Sequence, residues 1–329
     1  MTGRYYDGHE RTLAEIFGAH DVVVHEDHLE IDGRTVPIVG DVIICLPEDR
    51  LPGRLRGRVA PAGTEDFAPD IQHTFGAEWS EHGAVLPEHV DEFAAYFDLV
   101  ELDELAGARV ADLGCGSGRW ATFVAPRCRE LVVLDFSDAI FVARHNLRAH
   151  DNVIFVLGDV LDLPFTPNAF DFAYCLGVLH HTPVDALIAT RRLADASPRL
   201  LVYLYYALDN RPAHFRVLLG AVTVVRRLLA RVRGRRARAF ISWLIAAGVY
   251  LPLSALGRAL GERGSRVPLA DTYAGNSVKR MQQDAYDRFF TRIEQRFTRE
   301  QIRSLTDTFD SVEISPSLPY WHFVCSRPS

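Results

Sequence analysis

The stretch of residues 111–120, ADLGCGSGRW, constrains the fold of this chain more than any other. It closes an apolar run, ARVADL, with glycines at the alternate positions Gly114, Gly116 and Gly118. Glycine adopts positive φ angles without a steric penalty and lets a ligand come close to the main chain. A helix that starts directly after such a turn offers free N–H groups. The pattern predicts a strand, a tight turn and a helix at a ligand site, although dinucleotide-binding proteins share it.

Strand and helix patterns alternate from residue 108 onward. The apolar runs ELVVLD, NVIFV, FDFAYCL and RLLVYLYY follow ARVADL, and helical segments separate most of them. Because this order implies a parallel sheet covered on both faces, we expect an α/β fold with a Rossmann-like, mostly parallel sheet. Thr298 and Gln301 match a capping box that opens a last helix. DSVEIS and YWHFVCS then predict an antiparallel hairpin that completes seven strands.

The remaining segments divide the chain into five predicted parts. These are a small α+β element (1–60), a linker and cap helix (61–107), the core (108–206), a helical insert (207–297), and the final helix and hairpin (298–329). The N-terminus lacks the basic and then apolar regions of a secretion signal. The five cysteines are scattered and include no CxxC pair, which argues against a disulfide framework. We therefore expect a cytoplasmic protein.

Acidic residues accompany two of the following strands. Asp135 closes LVVLD about twenty residues after the glycines, where a carboxylate can accept both hydroxyls of a ribose. Asp159 follows the next strand, within GDVLDLPF. The fourth strand leads through Leu176 and Gly177 to two adjacent histidines. This corner lies beside the switch point of the sheet, the usual crevice for ligands in such folds.

Together, these ordered motifs resemble the class I S-adenosylmethionine-dependent methyltransferases of the small-molecule type. The resemblance is dense from residue 108 to 206 and returns at 298–327. It implies S-adenosylmethionine as the cofactor, held at its methionine part by the glycine turn, with Asp112 near its amino group and Asp135 on its ribose. It further implies contacts with the adenine and the sulfonium. The residues that it assigns to the cofactor are Asp112, Gly114, Cys115, Gly116, Gly118, Asp135, Phe136, Asp159, Val160, Leu176, Gly177 and Trp79.

Two of these assignments have structural alternatives. Phe136 either lies against the adenine or is only a buried aromatic residue. Trp79 belongs to TFGAEW, a segment similar to one in methyltransferases with a zinc-ribbon-like N-terminal element. Here the cysteine pairs of a ribbon are missing, so we expect no metal. Trp79 then either closes over the cofactor or anchors the linker to the core.

His180 and His181 are the candidate catalytic residues. The resemblance places their loop beside both the sulfonium and the acceptor pocket, and imidazole titrates near neutrality as a general base should. The two side chains are neighbours at a strand-to-helix corner, so we do not expect both to face the pocket. The alternative is that they only organise this corner.

The insert has its own charge pattern. Residues 210–261 contain ten arginines and no Asp or Glu, and residues 239–257 form a run of nineteen uncharged residues. Because the chain must return to finish the sheet, we expect a buried or interfacial helix pair rather than a membrane span. The arginines form either a solvated helix face or one of three binding surfaces: for anionic lipids at the membrane periphery, for an anionic substrate, or for RNA. Among these three, a hydrophobic substrate with an anionic group ranks first because the apolar and basic stretches are adjacent.

These observations predict a methyltransferase that modifies an O, N or C nucleophile of a small or lipid-like molecule, as in specialised biosynthesis. The DPPY-type tetrapeptide of methyltransferases that modify amino groups is absent after the fourth strand, which argues against a DNA adenine or a protein glutamine as the acceptor. Two alternatives remain open. One is an RNA- or protein-directed methyltransferase that uses the arginine-rich insert, and the other is a cofactor-binding protein of this fold that does not methylate.

Overall fold

The computed structural model describes residues 5–53, 55, 89–207, 209, 213–232, 234–273, 275–291, 293–317 and 321–327. The chain forms two compact units. The first combines residues 1–205 with residues 295–329, and the second comprises residues 206–294. Most of the predicted linker, including TFGAEW, lies outside the described residues.

The described strands of the first unit form an eleven-stranded sheet. In chain order they are β1 (Val22–Val24), β2 (His28–Ile31), β3 (Arg34–Val39), β4 (Val42–Ile44), β5 (Arg109–Leu113), β6 (Glu130–Asp135), β7 (Val153–Leu157), β8 (Phe172–Leu176), β9 (Arg199–Leu204), β10 (Ser311–Ile314) and β11 (Trp321–Ser326). Their spatial order is β1-β2-β3-β4-β7-β6-β5-β8-β9-β11-β10.

The centre of this sheet matches the expected Rossmann-like architecture. Strands β7, β6, β5, β8 and β9 are mutually parallel, and β11 pairs antiparallel with both β9 and β10. The side chains of β5, β7 and β8 are buried along their whole length, as a sheet covered on both faces requires. The α/β fold with a C-terminal hairpin is therefore confirmed. The order of neighbours reverses at β5, which places the switch point at the end of this strand.

The N-terminal strands extend the sheet beyond the seven that the sequence predicts. Strands β1 to β4 form an antiparallel meander, and β4 pairs in parallel with β7 through Val42 and Phe155. An uncovered edge strand would expose a row of unpaired backbone groups, and β4 satisfies that edge of β7. The small N-terminal element is thus continuous with the core sheet.

The described helices lie beside the sheet in the first unit and form most of the second. In chain order they are α1 (Glu10–Phe17), α2 (His89–Tyr96), α3 (Ala121–Val124), α4 (Ala139–Asn146), α5 (Ala186–Leu193), α6 (Ala213–Leu229), α7 (Arg235–Ile245), α8 (Leu251–Ala259), α9 (Ala270–Tyr273), α10 (Val278–Phe290) and α11 (Arg299–Arg303). The predicted capping box opens α11: the Gln301 amide donates to Thr298 Oγ1, and the Thr298 amide donates to Gln301 Oε1.

The second unit has its own apolar core. Helices α6 and α7 both pack against α10, and a π-helical segment, Ala246–Tyr250, joins α7 to α8. Tyr250 stacks on Tyr273 with ring centroids 4.7 Å apart. Within the described part of the chain, Arg236–Ala259 is the one helical run whose length and composition would allow it to cross a membrane.

Candidate functional site

The glycine turn after β5 has the geometry that its sequence predicts. Gly114, Gly116 and Gly118 all have positive φ angles, of 90°, 53° and 74°. The amides of Gly114 and Cys115 both donate to the Leu134 carbonyl, at 2.7 and 2.9 Å, which fastens the turn to β6. A β-carbon on Gly114 would come within 2.4 Å of Val178 Cγ2. Glycine is therefore required at this position both for its backbone conformation and for its lack of a side chain.

Asp135 lies at the end of β6 and is bonded to the turn. Its Oδ2 accepts the Gly116 amide at 2.9 Å, and its Oδ1 accepts both the amide and the hydroxyl of Ser137, at 2.8 and 2.6 Å. Burial raises the pKa of this carboxyl, while the bonds from Ser137 and Gly116 oppose the rise. With one hydrogen bond in place, Oδ2 can still accept a second.

Asp112 has a buried carboxylate oxygen without a hydrogen-bond partner among the described residues. This oxygen is Oδ2, and the residue as a whole is 2% exposed. Burial raises its pKa to about 8; the Tyr174 hydroxyl opposes this rise and the charge of Asp135 adds to it. A buried carboxyl without a partner is costly unless a ligand supplies a donor or a positive charge. Asp112 is therefore prepared for a cationic group.

These features fit S-adenosylmethionine. The turn supplies a cradle that a β-carbon on Gly114 would fill, Asp112 supplies an acceptor for an ammonium group, and Asp135 keeps capacity for a hydroxyl donor. All three lie at the carboxyl ends of β5 and β6, beside the switch point where ligands of such sheets bind. The residues present therefore match the donors and charges of an amino acid joined to a ribose.

Asp159 meets a residue that sequence reasoning missed. It follows β7 and is buried; its Oδ1 accepts the Leu161 amide at 2.9 Å, and its Oδ2 lies 3.5 Å from Nη1 of Arg50. Arg50 is buried as well and ends a short 3₁₀ helix, Glu48–Arg50, of the N-terminal element. The only local signal is a proline on either side of the EDR triplet, Pro47 and Pro52. These prolines predict a turn, but they do not identify Asp159 as the partner of Arg50. The N-terminal element thus places the buried Arg50 guanidinium beside Asp159 of the GDVLDLPF motif.

The other predicted cofactor residues lie near the same edge of the sheet. Cys115 and Val160 are buried, Leu176 ends β8, and Phe136 is half-buried against the main core cluster. Gly177 has a φ of 80°, and a β-carbon there would meet nothing within 4 Å. Trp79 is outside the described residues, and the individual contacts of this set with a cofactor stay predictions.

His180 and His181 belong to a buried 3₁₀ turn, Leu179–His181, that follows β8. The His180 ring is 0% exposed and stacks on Tyr205 with centroids 3.9 Å apart; the two histidine rings lie 4.2 Å apart. Burial lowers the pKa of His180 well below its ordinary value, and the nearby His181 and Arg296 lower it further. The backbone amide of Gln295 donates to the His180 carbonyl at 2.9 Å. These contacts favour the corner-organising alternative, and a catalytic role stays a prediction.

Two other features lie outside this site. A cavity of about 570 Å³ opens at the amino ends of β6 and β7, at the opposite edge of the sheet from the glycine turn. Across the described residues, no three His, Cys, Asp or Glu side chains form a cluster that could hold a metal ion. The zinc-ribbon-like interpretation of the N-terminal element stays a prediction.

The fold and the glycine turn define an α/β protein with a cofactor site at the switch point of its sheet. Residues 110–196 match a family model described as "Methyltransferase domain". A ubiquinone biosynthesis O-methyltransferase of Xylella fastidiosa (strain 9a5c) is 30% identical over 183 residues, which cover 53% of this chain and 73% of that protein. The chain therefore belongs to the S-adenosylmethionine-dependent methyltransferases.

Further relatives share shorter stretches. The 27-O-demethylrifamycin SV methyltransferase of Amycolatopsis mediterranei (strain S699) is 32% identical over 135 residues, covering 37% of this chain and 48% of that protein. A ubiquinone biosynthesis O-methyltransferase of Xanthomonas euvesicatoria pv. vesicatoria (strain 85-10) is 30% identical over 131 residues, or 39% of this chain. The chain spans 54% of the length of that Xanthomonas relative.

Proposed function

We propose that this protein transfers a methyl group from S-adenosylmethionine to an oxygen of a small or lipid-like molecule in the cytoplasm. One observation carries the proposal: Asp112, on the strand β5 that leads into the glycine turn, has a buried Oδ2 without a hydrogen-bond partner among the described residues. The relatives of the chain are methyltransferases, which supports S-adenosylmethionine as the ligand. The five unpaired cysteines support a reducing compartment.

The protein's own residues bind and orient the cofactor in this proposal. Asp112 accepts an ammonium group, which returns its carboxyl to the charged form. Asp135 holds the Gly116 amide in place and keeps an acceptor for a ribose hydroxyl. When bound, S-adenosylmethionine supplies a methyl group that its sulfonium charge already activates. The protein then gains rate mainly by aligning the acceptor with that methyl group, and by removing a proton where the acceptor is an alcohol or phenol.

The names of the relatives support the proposed class of acceptor. Two of them are described as ubiquinone biosynthesis O-methyltransferases, and a third acts at the 27-O position of a rifamycin. These names favour a hydroxyl oxygen over a nitrogen or carbon, and a small molecule over a macromolecule. A hydroxyl acceptor needs a base, for which His181 is our proposed candidate.

Two measurements test the proposal in sequence. Isothermal titration of the full chain with S-adenosylhomocysteine should show stoichiometric binding, weakened by Asp112→Asn but not by Asp162→Asn. Asp162 is a suitable control because it is an exposed aspartate of the same edge of the sheet. The second measurement incubates the protein with S-adenosylmethionine labelled in its methyl group and a cell extract. The label should appear in small hydroxylated molecules of the extract.

The outcomes separate the alternatives. An absence of binding to the folded wild-type chain would overturn the proposal. Binding without transfer to any extract fraction would favour the cofactor-binding protein that does not methylate. Label that appears only in RNA or protein would favour the macromolecule-directed alternative.

A further inference from the structure

The helical run Arg236–Ala259 exposes several of its large apolar side chains. The buried row contains Ser242, Ala246, Tyr250, Ser254 and Gly257, most of which are small. The exposed row carries the larger apolar residues, with Phe240 60% and Trp243 46% exposed. Ile241 and Ile245 are partly buried against the core of the unit. Helices of globular proteins normally bury most of their large apolar side chains, so a second, exposed apolar face on the same run is unusual.

The buried row is already committed to protein contacts. The Ser254 hydroxyl donates to the Tyr273 carbonyl at 3.0 Å, and a β-carbon on Gly257 would lie 2.2 Å from Ala270 Cβ. Ala246 and Tyr250 belong to the core cluster of the second unit. One side of the helix therefore packs tightly within its own unit, while the apolar side chains of the other remain exposed.

Helix α6 also exposes apolar side chains. Val224, Val225 and Leu228 are exposed, and Leu228 is 60% exposed. The spacing of Val224 and Leu228, and of Val225 and Leu228, keeps these residues on one face of the helix. Monomeric proteins seldom expose apolar clusters of this kind unless the surface binds something. We refer to the exposed apolar residues of α6 to α8 as the insert face.

Exposed arginines accompany the insert face. Arg227, Arg231 and Arg236 are exposed near the α6–α7 connection, and Arg258 is exposed on α8. Not all arginines of the insert are available, since Arg226 is buried and donates to the Thr291 carbonyl at 3.0 Å. Residues 210–261 contain no acidic residue that would neutralise the four exposed arginines locally.

We propose that the insert face binds the surface of an anionic phospholipid bilayer. Aromatic and leucine side chains beside arginines are the composition of helices that lie in the interface plane of a membrane. Positive charge without neighbouring acid is complementary to anionic headgroups. The helix lies on the bilayer rather than crossing it, because its buried row needs protein neighbours. This proposal does not depend on methyl transfer.

Co-sedimentation with vesicles tests the proposal. The full chain should bind phosphatidylcholine vesicles that contain phosphatidylglycerol, and it should bind pure phosphatidylcholine vesicles far more weakly. Replacing three arginines, as Arg227→Gln/Arg231→Gln/Arg236→Gln, should lower the partition coefficient by roughly a hundredfold. Phe240→Ser/Trp243→Ser should lower it on the anionic vesicles as well, because the apolar contact is lost.

Matched controls keep the result interpretable. Arg34→Gln/Arg148→Gln/Arg303→Gln removes the same number of exposed arginines from the first unit, and Val90→Ser/Ile188→Ser removes two exposed apolar side chains there. Neither variant should change vesicle binding. Circular dichroism establishes that each variant is folded. Emission from Trp243 should shift to the blue when anionic vesicles are added, and Trp243→Phe should abolish that part of the shift.

Three outcomes would overturn the proposal. The first is an absence of binding to anionic vesicles, and the second is binding that both insert variants leave unchanged. The third is self-association of the wild type, measured by sedimentation equilibrium, that Phe240→Ser/Trp243→Ser abolishes. In that case a second copy of the chain, rather than lipid, covers the insert face.

Discussion

Gly116 donates its backbone amide to Oδ2 of Asp135 at 2.9 Å, across a separation of nineteen residues in the chain. The other carboxylate oxygen accepts two bonds from Ser137. The end of β6 therefore positions the turn that follows β5: the Leu134 carbonyl holds Gly114 and Cys115, and the buried Asp135 carboxylate holds Gly116.

Replacing Asp135 with asparagine should weaken both stability and cofactor binding. The amide cannot accept hydrogen bonds on both sides, so at least one buried donor of Gly116 or Ser137 loses its partner. We expect the free energy of unfolding to fall by about 1–3 kcal/mol. We expect the affinity for S-adenosylhomocysteine to fall at least tenfold, as measured by titration calorimetry.

Ser137→Ala is the matched control for Asp135→Asn. It removes the hydroxyl bond to Oδ1 and the acceptor of the Ala139 amide, but it leaves the Gly116 bond intact. Stability should therefore fall by about 1–2 kcal/mol, with a smaller effect on affinity than that of Asp135→Asn. If Asp135→Asn loses stability but binds the ligand normally, the carboxylate only holds the turn and has no contact with the ribose.

The raised pKa of Asp112 should make cofactor binding release a proton. At pH values below about 8 the free protein holds this carboxyl mostly neutral, and an ammonium group favours the charged form. Affinity should therefore fall as the pH is lowered below about 8, by up to tenfold per pH unit. Calorimetry in buffers of different ionisation enthalpy measures the proton, and Asp112→Asn should release none.

Asp112 should also give the stability a characteristic pH slope. The unfolded carboxyl ionises near its ordinary value of 3.8, whereas the folded one keeps its proton until about pH 8. Between these values the unfolded state binds fewer protons than the folded state. As the pH rises through this window, the wild type should therefore lose up to about 1.4 kcal/mol of stability per pH unit relative to Asp112→Asn. Denaturation of both proteins across this window gives the slope; parallel curves would contradict it.

Adding a methyl group at Gly114 should damage the turn in two ways. Alanine is strained at a φ of 90°, and its β-carbon would collide with Val178. We expect a loss of about 2–4 kcal/mol of stability and of most cofactor affinity. Gly107→Ala, at a φ of 104° with nothing within 4 Å, measures the backbone strain alone. Gly114→Ala/Val178→Ala should recover part of the difference, and an absence of recovery would contradict the collision.

Removing Arg50, the buried partner of Asp159, should destabilise the protein more than removing Arg144, the partly exposed partner of Asp41. Arg50→Met leaves Asp159 as a buried carboxylate with one cation fewer, for which we expect a loss of about 3–5 kcal/mol. Arg144→Met breaks a partly exposed pair with Asp41, and should cost no more than about 1 kcal/mol for the charge. Similar losses in urea denaturation would show that the Arg50 pair contributes little.

Separate replacement of the two histidines should distinguish a catalytic base from a residue that only stabilises the turn after β8. Burial holds His180 neutral, so His180→Asn should lower stability without removing a limb of the pH–rate profile near neutrality. If His181 is the base, His181→Asn should lower kcat at least a hundredfold with unchanged cofactor affinity. Unchanged turnover in both variants would leave the pair with a structural role only.

Local chemistry was enough to predict much of this protein. The glycines of the turn need conformations that other residues adopt at a cost, and the buried strands around them carry uninterrupted apolar side chains. The capping box of Thr298 and Gln301 likewise depends on atoms three residues apart. Such features can be predicted from sequence because the groups that interact are neighbours in the chain.

Only the tertiary structure decided the contacts between distant segments. The pairing of Arg50 with Asp159 joins residues 109 positions apart, and the pairing of β4 with β7 extends the sheet in a way that no local pattern specifies. Hydropathy marks Phe240 and Trp243 as apolar, but only packing shows that smaller residues fill the core beside them. The sequence by itself determined which backbone conformations are allowed; long-range packing decided which charges are buried together and which apolar side chains remain exposed.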